Sequence, residues 1–272
     1  MKSKNSTRPT TNFTARWHAA VKQARRPCSP EPCHVPAVGW LSLLTMAVID
    51  SRPVPSLGRA LIAVPQAPVW YFTIPANFGI YGHDRVKYIA CNSSTKLQYN
   101  RMLKNRWFWD QFTTRLVLLF EKDTSFCARP TLTISFFVAE MVEYDYALLG
   151  APWLDDAYWC RVKGRCSGNS GLSIWSVAPM QRFAREGGRS SAAKIDSFMH
   201  AIFAGRAGVD RLPPTELAEK FAMETTRRRA WFTPFGCHKS ACCPNGRIES
   251  PSGAARGRAR RRERDAVSLS LT

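Results

Sequence analysis

The run Leu116-Val-Leu-Leu-Phe120, introduced by Arg115 and closed by Glu121-Lys122-Asp123, restricts the fold more than any other segment. Its five consecutive apolar residues leave no polar face. An extended chain turns successive side chains to opposite sides, so such a strand must be covered on both. The run is too short for a helix and suits a buried strand. Leu43–Ile49 has the same character and stops at Asp50, Ser51, Arg52 and Pro53. Val69–Ile74 (VWYFTI) is β-branched and aromatic and stops at Pro75, so it reads as another strand, with Lys87–Cys91 and Tyr144–Leu149 as further candidates.

Between these runs the spacing predicts helices over Leu97–Phe112, Ser176–Arg185 and Ala192–Phe203. A shorter helix opens at Pro213-Pro214, with Leu217 and Phe221 four apart on one face. Strands alternating with helices predict an α/β fold. Its extent is 43–240, and 272 residues leave ample room for a core. Residues 1–36 and 241–272 are polar, basic and rich in Pro, Gly, Ser or Arg, a composition that predicts disorder.

The formal net charge of +19 resembles a nucleic-acid signature until it is divided by region. Residues 1–26 carry seven Lys and Arg and no acid, and residues 227–272 carry eleven against three. Residues 27–226 carry 21 against 17, so the expected folded part is nearly balanced. The Arg256–Arg264 block suits non-specific phosphate contact, but no finger or helix-turn-helix accompanies it, and nucleic acid is not the expected partner. No apolar run approaches the roughly 20 residues of a membrane-spanning helix. Neither a signal peptide nor an anchor is visible. The nine cysteines include Cys28 and Cys33 beside His34, and Cys237-His238 ahead of Cys242-Cys243. These spacings match no standard zinc finger, and scattered buried thiols are the expectation.

Several residues are candidates for chemistry. Glu121 and Asp123, two apart on an extended segment, would converge where a buried strand meets solvent, a place where a hard divalent cation finds oxygen ligands. Two ordinary solvated acids are the competing reading. Gly168-Asn169-Ser170-Gly171 reads as a tight turn, with or without a ligand against its backbone. Asp196 sits in a largely apolar helical segment and is either a buried base or a wet-face acid. His238 is a possible metal ligand in what reads as a loop. Trp153, ahead of Asp155-Asp156, suits stacking on a sugar or plain packing. Trp107-Phe108-Trp109 reads as core.

In order along residues 47–240, these segments resemble a known family, the domain of unknown function 5672, a group similar to type A glycosyltransferases. The resemblance is carried by Ala47-Val-Ile-Asp-Ser-Arg-Pro-Val-Pro-Ser-Leu, Tyr99-Asn-Arg-Met-Leu, Phe108-Trp109 and Leu118-Leu-Phe-Glu-Lys-Asp-Thr-Ser-Phe-Cys. It continues through Glu143-Tyr-Asp-Tyr, Gly150-Ala-Pro-Trp, Gly168-Asn-Ser-Gly-Leu-Ser, Ile195-Asp-Ser-Phe-Met, Phe221-Ala-Met-Glu-Thr and Pro234-Phe-Gly-Cys-His-Lys. It implies a Rossmann-like mixed sheet flanked by helices, of glycosyltransferase type A character. It also implies a nucleotide-sugar donor, a hydroxyl acceptor and a divalent metal (manganese or magnesium) on the diphosphate.

Carried over residue by residue, the resemblance assigns the metal to Glu121, Asp123 and His238, with Glu121 a departure from the family's usual residue and Lys122 near enough to compete for the charge. Asp50, Arg52 and Asn169 fall on the donor side, Trp153 and Asp155 on the acceptor side, and Asp196 is the candidate base. The family role would place the protein in the secretory pathway, at the Golgi. Two other readings compete: a relative that keeps the fold without the chemistry, and a protein acting through its basic tails.

Overall fold

The computed structural model describes Gly39, residues 42–91, Ser93, and residues 95–153, 167–185, 212–224, 232–238 and Cys243. The expected helix at Ala192–Phe203 and both basic termini lie outside these residues, as do Asp155 and Asp196.

The apolar runs form the strands their composition predicts: β1 (Leu44–Ile49), β2 (Val69–Thr73), β3 (Val86–Ala90) and β4 (Leu116–Phe120). They pair in parallel in the order β3-β2-β1-β4. β7 (Ser167–Ser176) then runs antiparallel beside β4, and β6 (Leu148–Pro152) closes the edge antiparallel to β7. The protein is thus an α/β fold on a six-stranded mixed sheet flanked by helices, and its parallel part follows the 3-2-1-4 order found in a Rossmann sheet.

Every residue of β1 and β4 is buried, as a strand without a polar face requires. One alternation set holds Ala47, Ile49, Val117 and Leu119. It packs with Phe72 and Trp175 against Tyr99 and Leu103 of α2 (Lys96–Leu103), Phe108 and Trp109 of α3 (Arg106–Asp110) and Met180 of α5 (Val177–Arg185). The opposite set ends in Phe120. Its ring meets Phe126 of β5 (Thr124–Phe126), which meets Phe235. Phe235 stacks on Phe221 of α6 (Thr215–Phe221) and reaches Phe137 of α4 (Ile134–Glu143). Each such ring withdrawn from water is worth about 2 kcal/mol, so this aromatic chain fastens a smaller sheet to the larger. The smaller sheet is β5-β9-β8, from β5, β8 (Ala222–Met223) and β9 (Gly236–His238).

Several expectations are corrected. Leu97–Phe112 is two helices, not one. Asn105 adopts extended backbone between them, and its side chain accepts from the Trp107 amide at 3.0 Å, capping α3. Phe108 and Trp109 are core as expected, but Trp107 is 44% exposed. Two helices had no sequence expectation. In α1 (Pro55–Ala63) proline occupies the first turn, and Leu57 and Ala60 are buried three apart. In α4, Ile134, Phe137, Val138 and Met141 follow helical spacing, hidden by their β-branched and aromatic character.

The strand expected at Tyr144–Leu149 starts at Leu148, because Tyr144 caps α4 and Asp145 turns the chain with φ 52°. Gly168–Gly171 is not a turn but the start of β7, where the pairing with β6 shifts register beside Ala151 and Pro152. A Cβ on Gly150 would overlap the Asn169 carbonyl, so glycine here permits close backbone approach. No helix among the described residues is long and apolar enough to cross a membrane.

Candidate functional site

β4 delivers its chain to a tight turn rather than to a longer extended segment. The Thr124 amide donates to the Glu121 carbonyl at 3.0 Å, and the Glu121 amide donates to the Gly171 carbonyl of β7 at 2.9 Å. The Thr124 hydroxyl donates to that same carbonyl at 3.0 Å, and the Ser56 hydroxyl of α1 to the Glu121 carbonyl at 3.0 Å. Glu121 and Asp123 are therefore brought together by a pinned turn. The alternation of a strand, from which their convergence was expected, plays no part.

β5 leaves that turn and pairs antiparallel with β9, setting Thr124 opposite His238. His238 is thus on a strand and 2% exposed, not in an open loop. Its Nε2 lies 3.3 Å from Glu121 Oε2 and 3.2 Å from Asp123 Oδ1. Ligand atoms of these three residues all lie within 4.8 Å of one another.

On the other side of the ring, Nδ1 lies 3.2 Å from Glu224 Oε1. β8 pairs in parallel with β9, Met223 opposite Cys237, which carries the next residue, Glu224, to the level of His238. The Asn169 amide donates to the second oxygen of Glu224, and Asn169 Oδ1 accepts from the Gly171 amide at 2.9 Å. Gly171 itself leaves the space the imidazole fills, since a Cβ there would overlap the ring. The Gly168–Gly171 segment is therefore the cradle of His238. Glu224 had no assigned role in the sequence reading, although it lies in one of the segments that carry the family resemblance.

Three carboxylates surround one imidazole. Burial pushes the His238 ring towards its neutral form, but the Glu121 and Glu224 carboxylates outweigh it and hold its pKa at about 9. Both ring nitrogens are buried and lack a hydrogen bond of good geometry, although carboxylates lie at 3.2–3.3 Å. Such a site could hold a cation. The donor set of carboxylate oxygens and one imidazole suits a hard or borderline divalent ion, with Glu224 orienting the ring from behind.

Beside this cluster a cleft of about 170 Å³ opens past the carboxyl ends of β1 and β4. In open α/β sheets this is where ligands bind. Asp50, Arg52, Ser93, Lys96, Glu121 and Lys122 line it, so Glu121 belongs to both the cleft and the cluster. The Ser93 hydroxyl is buried there with no hydrogen-bond partner among the described residues. Arg52 pairs with Asp50 at 3.1 Å and is 63% exposed, and Lys122 reaches Asp50 at 3.6 Å. Pockets for drug-sized ligands measure about 300–1,000 Å³, and this cleft is smaller. Asn169 is buried with its side chain engaged as above, and Trp153 follows β6, half-buried.

A family model described as "Protein of unknown function (DUF5672)" matches residues 85–238, from the start of β3 to His238. No curated protein matches the sequence significantly. Solved structures similar to this chain include 4-diphosphocytidyl-2C-methyl-D-erythritol synthase from Anaerococcus prevotii. That match has 10% identity over 62% of this chain and 85% of the other, with a TM-score of 0.38. The glycosyltransferase GlyE of Streptococcus pneumoniae is similar at 12% identity over 63% of this chain and 45% of its own, TM-score 0.34.

Proposed function

The chain belongs to the DUF5672 family, and from that premise we propose that it is a metal-dependent glycosyltransferase. It would move a sugar from a nucleotide-diphosphate donor to a hydroxyl acceptor. The observation that carries this reading is the convergence of Glu121, Asp123 and His238 at the mouth of the central strand, open to a cleft with three basic side chains. The resemblance of the ordered segments to type A glycosyltransferases supplies the reaction class.

Glu121, Asp123 and His238 would hold a manganese or magnesium ion, which supplies charge neutralisation of the departing diphosphate. The cleft takes the nucleoside end of the donor. Arg52 exchanges its Asp50 partner for phosphate, with Lys96 and Lys122 adding positive charge along the same wall. Asn169 contributes to the donor side through Glu224 and His238. Trp153 and Asp155 receive the acceptor, and Asp196 takes the proton from its hydroxyl.

The deciding measurement is a thermal-shift panel of nucleotide sugars with manganese, followed by donor hydrolysis. The expected result is stabilisation by one donor only when manganese is present, lost in Asp123→Ala. No stabilisation by any donor at millimolar concentration sinks the reading and leaves a fold without the chemistry.

A further inference from the structure

The near balance of charge in the folded part conceals a polarity across the six-stranded sheet. α2, α3 and α5 all turn buried side chains (Tyr99, Leu103, Phe108, Trp109 and Met180) onto one face of it. What these helices expose therefore looks away from the sheet on that side. It is basic: Lys96 and Arg101 of α2, Arg106 of α3, and Arg182 and Arg185 of α5 are all exposed. The one acid of these three helices, Asp110, is paired with Arg106 at 2.8 Å. Lys87 of β3 adds to the same side. It is exposed and in register with Trp70, and its ammonium lies 4.4 Å from the centre of the Trp70 ring, which packs against the same core.

The helices that pack on the other face, α4 and α6, carry the opposite sign: Glu140, Glu143, Glu216 and Glu219 against Lys220. The basic layer also shows two large apolar side chains to solvent, Leu97 of α2 at 54% and Trp107 of α3 at 44%.

We propose that the α2-α3-α5 layer is a docking surface for an anionic lipid membrane. The Lys and Arg heads meet the lipid phosphates and carboxylates, while the exposed Trp and Leu enter the boundary between headgroups and acyl chains. Tryptophan in particular settles at headgroup depth. Duplex nucleic acid would satisfy the cations, but it offers an exposed leucine no apolar medium, and the layer has no motif that enters a groove. Docking of this kind is peripheral and weakens with salt, and no helix among the described residues is long and apolar enough to cross the bilayer. The inference stands apart from the proposed sugar transfer and does not depend on it.

The test is vesicle flotation of the full chain over a range of salt, on phosphatidylcholine alone and on phosphatidylcholine mixed with phosphatidylserine. The basic termini also carry charge that anionic lipid attracts, so two variants of equal net charge are compared. One combines Arg101→Glu, Arg182→Glu and Arg185→Glu, and the other Arg256→Glu, Arg258→Glu and Arg260→Glu. The expected result is wild-type binding to the serine-containing vesicles alone, weakened at least about tenfold by the first set and far less by the second. Hydroxyl-radical footprinting of the wild-type chain gives a readout that needs no variant to fold. Vesicles should protect Leu97 and Trp107. Phe78, whose ring meets Tyr88, should stay open, because Tyr88 follows Lys87 on β3 and faces the other side. Equal loss in the two variants, no protection of Leu97 and Trp107, or wild-type binding to duplex DNA but to neither vesicle overturns the proposal.

Discussion

The imidazole of His238 occupies space that exists only because residue 171 has no side chain. Gly171→Ala is therefore expected to push the ring off Glu121 and Asp123. Overpacking of this kind costs about 1–3 kcal/mol of stability. If the proposed metal site holds manganese, its affinity should fall more than stability does, which electron paramagnetic resonance titration alongside urea unfolding separates. A variant that binds manganese as the wild type does would show that the cradle is not needed. His238 also sets a pH dependence. Its pKa rises from 6.5 to about 9 on folding, so the folded metal-free protein holds this proton more tightly than the unfolded chain. The stabilisation is complete below pH 6.5 and is lost as pH climbs through 9. Urea midpoints of chelator-treated protein should decline across that window, and His238→Gln should flatten the decline. The carboxylates and the histidine were legible in the sequence because ligand chemistry is confined to few residue types. Glu224 was not, since its task depends on the register of two very short strands more than ten residues apart.

At the scale of elements, β1, β2 and β4 were readable because a strand buried on both faces has no freedom in composition. The elements that build the site were not. β5, β8 and β9 have three, two and three residues, too few to show any period. They are strands because the Phe120, Phe126 and Phe235 rings hold their ends together, a tertiary cause. The helical region at 96–110 looked continuous because its apolar residues keep helical spacing across Asn105. Lys104 closes the first helix, and the Asn105 side chain starts the next. Asn105→Ala is expected to cost about 1 kcal/mol and Asn105→Gly a few tenths. Equal losses in thermal or urea unfolding would mean that the side-chain bond contributes nothing there.

Across the whole molecule, the Cys127–Cys243 link spans 116 residues, from just after the central strand to beyond β9. Closing a loop of about 100 residues removes up to about 4.7 kcal/mol of unfolded-chain entropy, and measured effects are nearer 2–4. Oxidised Cys243→Ser is expected to lose stability in that range, read as a lower urea midpoint with the oxidised wild type as reference. An unchanged midpoint would mean that the link forms without constraining the unfolded chain. The same long return of the chain governs when Glu121, Asp123 and His238 can first meet. During translation the central sheet and both carboxylates of the cluster are made well before the histidine that completes it. A nascent chain halted ahead of β9 would carry most of the architecture and both carboxylates but not His238, so the cluster closes only once β9 is made.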